Sequence, residues 1–268
     1  MNTPVSQTES LSPAVAARLR VVLVGTQHPG NIGAAARALK TMGLARLVLV
    51  APEDYPADEA YRRAAGADDL LGEAPVVATL AEAVADCHLV LGCTARSRRV
   101  QLEEHAPRQA AALAVGRAAA GGEVALVFGR ERTGLSNEEL QLCHAAVHIP
   151  ANPDYSSLNL AAAVQVLAYE LRLALLEGGP VAATEAPHPD DVAASHAHME
   201  GFFAQLGDTL DAIDFHKGRT PDSAMRKLRR LFAKAELTEQ EVRLLRGILA
   251  DAQRMARLAG QGGPGSLS

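Results

Sequence analysis

Ser156, Ser157 and Asn159 stand together in the run Ser156-Ser157-Leu158-Asn159-Leu160-Ala161, directly after Pro150-Ala151-Asn152-Pro153-Asp154 and directly before a long apolar segment. Two hydroxyls and an amide at such a point can bind a small molecule, or they can cap a helix. Ser is a preferred cap residue, and losing one costs about 1 kcal/mol. Residues 146–150 read as a short strand, and from Leu158 the positions Ala162, Gln165, Val166, Tyr169 and Leu173 recur at helical spacing. The cluster therefore occupies a strand-to-helix junction. In open α/β sheets such junctions, at the carboxyl ends of strands, are where small ligands bind.

Two further junctions carry polar clusters. In Asn31-Ile32-Gly33-Ala34-Ala35-Ala36-Arg37 an amide opens a helix and a cation follows nearly two turns later. In Phe128-Gly129-Arg130-Glu131-Arg132-Thr133-Gly134-Leu135-Ser136 an apolar strand leaves through glycine into three consecutive charges. Those charges serve a ligand or pair among themselves as a lock, and both readings stay open for Arg130 and Arg132. A dinucleotide fingerprint fails on spacing, because the glycines are Gly25, Gly30 and Gly33, although Glu53 falls where a ribose-binding acid would. No Gly-Lys-Ser/Thr run follows, so a P-loop fails as well.

The elements that must position these clusters are legible from the pattern. Apolar, β-branched runs predict strands at Arg20 to Gly25, Leu47 to Val50, Val76 to Ala78, Leu89 to Gly92, Val124 to Gly129 and Ala146 to Pro150, with helical periodicity between most of them. Such alternation implies an α/β fold with a mostly parallel sheet. Ser/Thr-x-x-Glu capping signals mark helix starts at Thr79, Ser136 and Thr238. Gly178-Gly179-Pro180 ends the long helix, and 178–192 reads as a linker. The organisation predicted is a disordered tail at 1–17, an α/β domain at 18–177, the linker, a helical unit at 193–258, and a disordered tail at 259–268. In the helical unit, Met225, Leu228, Leu231 and Phe232 are expected to face one way, and Arg226, Arg230 and Lys234 another.

Charge sorts along the chain. The net charge is −5, yet residues 181–215 hold seven acids and no Lys or Arg, while 216–257 hold eleven bases and five acids. A basic module of this kind suits phosphate contacts. No apolar run of 18 residues occurs and the first residues are polar, so neither a membrane span nor a signal peptide is predicted, and a cytoplasmic protein is expected. Cys87, Cys93 and Cys143 form no Cys-x-x-Cys pair, so reduced, mostly buried thiols are expected, with no disulfide frame and no metal. His196 and His198 near Asp190 and Asp191 read as a solvated helix entry.

Taken together, the stretches Asn31 to Gly43, Gly129 to Leu135 and Ile149 to Asn159 resemble, in order and spacing, the three motifs of the SpoU branch of the SPOUT RNA 2′-O-ribose methyltransferases. The run Gly92-Cys93-Thr94-Ala95-Arg96-Ser97-Arg98, the form Asn-Pro-Asp-Tyr-Ser-Ser-Leu-Asn and the basic helical extension are similar to TrmJ-type tRNA methyltransferases. The resemblance covers residues 20 to about 255, and departs from the usual pattern at Gly25-Thr26-Gln27-His28-Pro29.

The resemblance implies a SPOUT fold with a C-terminal trefoil knot plus a small all-α extension, working as a homodimer. It implies S-adenosyl-L-methionine as cofactor, bound against Cys93, Thr94, Ala95, Gly129, Ile149, Ser156, Ser157 and Leu158. It implies a reacting centre of Asn31, Arg37, Glu131, Ser157 and Asn159. RNA contacts are expected at Arg98 and, on the basic helix, at Arg226, Arg230 and Lys234. The substrate implied is a pyrimidine ribose at nucleotide 32 of the tRNA anticodon loop. A guanidinium stays charged near neutral pH. Arg37 is therefore expected to stabilise a developing alkoxide and grip a phosphate rather than to remove a proton. Ribosomal RNA or another tRNA position is the rival substrate, and an RNA-binding protein of the same fold without catalysis is the rival class. A nucleotide-dependent oxidoreductase stands third.

Overall fold

The computed structural model describes residues 13–94, 102–177, 192–218, 220–233 and 235–261. The chain divides into two compact units, one within residues 1–184 and the other within 185–268.

The first unit is built on a seven-stranded parallel sheet. Its strands are β1 (Leu19–Val24), β2 (Arg46–Val50), β3 (Val76–Val77), β4 (Leu89–Cys93), β5 (Glu103–His105), β6 (Val124–Phe128) and β7 (Ala145–Val147). Their order across the sheet is β3-β2-β1-β6-β4-β7-β5. The central strands read as unbroken apolar runs because both faces are covered. In β1, Leu19, Val21 and Leu23 point into one core and Val22 and Val24 into the other. The larger core is roofed by α1 (Pro13–Ala16), α2 (Pro29–Thr41), α3 (Asp58–Ala64), α4 (Asp68–Glu73), α6 (Pro107–Ala119) and α8 (Leu160–Glu177). The smaller is closed by α5 (Leu80–Ala83) and α7 (Asn137–Gln141). Gly33 is where α2 meets α3: a Cβ there would lie 1.9 Å from the Ala60 carbonyl oxygen, so that position serves helix packing.

At the amino ends of the strands a charged cluster ties the sheet together. Arg20 is 6% exposed, and its guanidinium donates to Asp86 at 2.8 Å, to Glu123 at 2.9 Å and to the Ala83 carbonyl at 3.1 Å. Arg46 also donates to Glu123. Burial pushes the Asp86 and Glu123 carboxyls up, but the arginine hydrogen bonds outweigh it and hold both below the ordinary range.

The second unit packs α9 (His196–Ala212), α10 (Pro221–Ala233) and α11 (Glu239–Gln261). Phe202, Phe203, Leu206 and Val242 form its buried centre, with Met225, Leu228 and Phe232 against them. Arg229 pairs with Glu200 and lies 4.4 Å from the Phe203 ring centroid.

Several expectations are corrected. Pro13–Ala16 form a helical turn with Val15 and Ala16 buried, so structure begins inside the segment expected to be a disordered tail. Helix α11 runs three residues beyond the expected end at 258. Strand β5 was not foreseen, because Glu103-Glu104-His105 is polar; charges suit a sheet edge. Strand β7 stops at Val147 rather than Pro150, and α8 begins at Leu160 rather than Leu158. Leu231 is 61% exposed and does not join its expected apolar face. Cys87 and Cys143 are buried free thiols, and Cys93 is half-buried.

Candidate active site

Strands β1, β6, β4 and β7 are consecutive in the sheet, so the segments leaving their carboxyl ends emerge side by side. Those segments carry Gly25–Asn31, Gly129–Leu135, Thr94 and Ile149–Asn159. The segments leaving β4, β6 and β7 line a cleft of about 160 Å³. Cys93, Thr94, Gly129, Ile149, Ser156, Ser157 and Leu158 all line it. Ala95 lies outside the described residues. Phe128, Arg130, Glu131, Arg132, Thr133, Gly134, Val147, Leu160 and Ala163 also line the cleft.

One wall is a tight turn. Gly134 N–H donates to the Arg130 carbonyl at 2.8 Å, and Gly134 adopts a φ of +68°. The turn folds back so closely that a Cβ on Gly129 would sit 2.2 Å from the Leu135 nitrogen. Arg130 donates to both oxygens of Glu139 at 3.0 and 3.1 Å, and its guanidinium lies over Gly25. Glu139 in turn completes the capping box of α7 with Ser136. Arg130 is thus locked, but to Glu139 outside the run rather than to another charge within it. Arg132 is exposed at the turn and makes no hydrogen bond or ion pair among the described residues.

Glu131 turns the other way. Its carboxylate accepts from the backbone N–H of Gln27 at 3.0 Å, from that of His28 at 3.2 Å and from the Asn31 amide at 2.9 Å. Burial raises the Glu131 carboxyl, but the Asn31 and backbone bonds outweigh it and hold it below its ordinary value, so it is an anion. This negative charge sits at the amino end of the thirteen-residue α2, where the helix dipole favours it. Asn159 Nδ2 then donates to Asn31 Oδ1 at 3.0 Å, while Asn159 Oδ1 accepts from Ala161 N–H at 2.9 Å and Ala162 N–H at 3.4 Å.

Asn159, and not a serine, therefore caps α8. Ser156 and Ser157 are left to line the cleft. A signal for this existed, since Asn caps as well as Ser does and stands immediately before Leu160. Asn31, Glu131 and Asn159 form one continuous chain beside the cleft, with Ser157 on its wall. Arg37 is exposed on α2, six residues beyond Asn31, and no side-chain bond within the described residues ties it to this chain. Arg226 and Arg230 are exposed on α10, whereas Arg98 and Lys234 lie outside the described residues.

The backbone donors of Gln27 and His28 were not foreseen, because a peptide N–H carries no residue-type signal. Glu53 accepts from the Gln27 side chain at 3.1 Å, and its own N–H donates to the Thr26 carbonyl, so it braces the β1 exit rather than binding a ribose. Burial, with Cys143 nearby, pushes the Cys93 thiol up, which makes it a neutral wall rather than a nucleophile.

The chain matches the SpoU rRNA methylase family over residues 18–169 and the TrmJ C-terminal domain over 197–261. It is 49% identical over 247 residues to the tRNA (cytidine/uridine/adenosine-2′-O-)-methyltransferase TrmJ of Pseudomonas aeruginosa, covering 90% of this chain and 95% of that one. It is 50% identical over 242 residues to the tRNA (cytidine/uridine-2′-O-)-methyltransferase TrmJ of Escherichia coli K12, covering 88% and 95%. The crystal structure of TrmJ from Z. mobilis ZM4 superposes with a TM-score of 0.73 at 35% identity, covering 87% of this chain and 97% of that one. Three clusters gathered at one sheet end, a helical unit of the matching type and identity across both units lead to one assignment: the chain belongs to the SpoU methylase family, on its TrmJ branch.

Proposed function

We propose that this chain transfers the methyl group of S-adenosylmethionine to the ribose 2′-oxygen of a pyrimidine, nucleotide 32, in the tRNA anticodon loop, as a cytoplasmic homodimer with the knotted chain path implied by its family. The observation that carries the reading is the Asn159–Asn31–Glu131 chain set against a cleft whose wall holds Ser156 and Ser157. The names of its relatives supply the tRNA and the 2′-oxygen. Insertion of β6 between β1 and β4, with β7 on the outer side of β4, supports the knotted path. Exposed Leu244, Ile248, Met255 and Leu258, at heptad spacing along α11, suit association with a second copy. No helix among the described residues is long and apolar enough to cross a membrane.

The cleft fits the cofactor on its own chemistry. Phe128, Val147, Ile149, Leu158 and Leu160 give an apolar wall for a purine, and Thr94, Ser156 and Ser157 converge with hydroxyls that fix orientation. When bound, the cofactor supplies the electrophilic methyl group. The chain's own residues then position the ribose. Glu131 holds Asn31, and Asn31 holds Asn159, so the amides are fixed before substrate arrives; alignment of this kind contributes about 7 to 11 kcal/mol to lowering a barrier. The 2′-hydroxyl proton leaves through the adjacent RNA phosphate, Ser157 or water. Arg37, exposed and charged, stabilises the developing alkoxide and grips the adjacent phosphate.

Incubating the protein with unmodified tRNA and cofactor, then measuring methylated nucleosides by mass spectrometry, tests the reading. A 2′-O-methylpyrimidine at nucleotide 32 is expected. Methylation confined to ribosomal RNA would overturn the substrate, and no methylation of either pool would overturn the activity.

A further inference from the structure

The segment between β7 and α8 holds one large aromatic ring almost wholly in water. Tyr155 is 82% exposed, more than any other exposed large apolar residue of the described chain. The chain spends aromatics sparingly, with no Trp, four Tyr and five Phe in 268 residues. Leaving such a ring in solvent stabilises nothing within one protomer, since its burial would be worth about 1.5–3 kcal/mol. The backbone that carries it is nevertheless ordered. Tyr155 N–H donates to the Asn152 carbonyl at 2.9 Å, and Asp154 N–H donates to the Asn152 side chain at 3.0 Å, so the turn that lifts the ring out is braced twice.

Its place in the chain connects this ring to the reaction. Tyr155 directly precedes Ser156 and Ser157, which line the cleft, and one residue spans about 3.8 Å. An exposed ring thus stands next in the chain to two residues of the cleft wall. The turn that lines the same cleft carries Arg132, exposed and unpaired among the described residues, whereas its neighbours Arg130 and Glu131 are both committed to partners. A bare ring one residue away from the cleft lining and a bare guanidinium on that lining are the two kinds of group that a nucleotide engages, one through its base and the other through its phosphate.

We propose that Tyr155 is a stacking platform for a nucleobase of the substrate RNA within one step of the reacting ribose, with Arg132 holding a nearby phosphate. This rests on the tRNA methyl-transfer reading. Tyr155 acts by its ring and not by its hydroxyl, so it positions the strand and takes no part in proton movement. A face that stacks on any base adds affinity without fixing which base is chosen.

The full-length protein with Tyr155→Ala, Tyr155→Phe and Tyr155→Trp, assayed with unmodified tRNA, tests this. Stacking predicts that Tyr155→Ala raises the tRNA KM and Kd by roughly 5- to 150-fold, while Tyr155→Phe and Tyr155→Trp keep most of the affinity. The slope of log Kd against log salt stays unchanged for Tyr155→Ala and falls by about one for Arg132→Ala, because only the latter removes a phosphate contact. Cofactor affinity and oligomeric state are unchanged in every variant. An unmoved tRNA Kd in Tyr155→Ala overturns the proposal, as does a Tyr155→Phe protein as impaired as Tyr155→Ala. Loss of cofactor binding, or dissociation of the oligomer in Tyr155→Ala, would assign the ring to the pocket or to a subunit contact instead. A wild-type protein that fails to methylate tRNA sinks the parent reading, whereas an active wild type with an unaffected alanine variant sinks this proposal alone.

Discussion

Glu131 and Asn31 lie 100 residues apart in sequence and 2.9 Å apart in space, with the amide nitrogen donating to the carboxylate. The bond decides which way the Asn31 amide points. With its nitrogen given to Glu131, its oxygen faces Asn159 and accepts from it.

Glu131→Gln tests whether that orientation matters. A neutral amide presents one acceptor oxygen to three donors, so either the Gln27 N–H or the His28 and Asn31 donors lose their partner. The expected result is a fall in kcat of about 100-fold, comparable to losing one preorganised group in other active sites. Cofactor affinity by calorimetry should change little. An unchanged kcat would reduce the chain of amides to scaffolding.

Arg37→Ala should abolish methyl transfer and leave folding untouched, because the side chain is exposed and has no bond to lose among the described residues. Thermal denaturation should stay within about 0.5 kcal/mol of wild type. If titration calorimetry showed cofactor affinity falling in parallel with activity, Arg37 would be a structural residue.

The opposite end of the sheet predicts acid sensitivity. Asp86 and Glu123 are held below their ordinary values by Arg20 and Arg46. A depressed carboxyl contributes its full stabilisation above the unfolded value near about 4.3 and loses it as the pH falls through the folded value. Denaturant midpoints should therefore be flat through neutral pH and decline below about pH 4. Glu123→Gln should flatten part of that decline and cost about 1–2 kcal/mol at pH 7, because the buried Arg20 loses one charged partner and keeps Asp86. A midpoint independent of pH down to 3 would contradict this account.

The helical unit should govern salt dependence. Arg226 and Arg230 are exposed on α10, in a stretch of eleven bases and five acids. Each phosphate contact contributes close to one unit of slope in log Kd against log salt. Removing residues 193–268 should weaken tRNA binding and flatten that slope, and the double substitution Arg226→Ala, Arg230→Ala should lower it by about two. An unaltered slope after the deletion would remove this unit from RNA binding.

Much of the first unit was legible because its strands announce themselves. Buried on both faces, Val21 to Val24 and Val124 to Phe128 had to be continuous apolar runs, and the capping pairs at Thr79, Ser136 and Thr238 fixed three helix starts. The edge strand at Glu103–His105 was hidden because its pairing is carried by backbone alone. The same blindness covers the site. Side-chain identity pointed to Asn31, Glu131 and Asn159, but the N–H groups of Gln27 and His28 that hold Glu131 belong to no residue type. Glu53 agrees with the rejected dinucleotide fingerprint: its spacing from Gly33 alone would suit a ribose, while its bonds run to Gln27 and Thr26. Leu231 escaped its helical face because the pattern shows which residues could be covered, not whether a neighbour covers them.

The Asn159 amide is bonded at both ends, to the start of α8 and to Asn31 across 128 positions. During synthesis, Asn31 and Glu131 leave the ribosome well before it does, so the amide chain stays open-ended until the strands that precede Asn159 have found their places. A chain ending short of that point holds every strand and the Glu131–Asn31 bond, yet lacks the Asn159 clasp and the helix it starts. The last bond of the amide chain thus closes only once residues on both sides of Asn159 are in place.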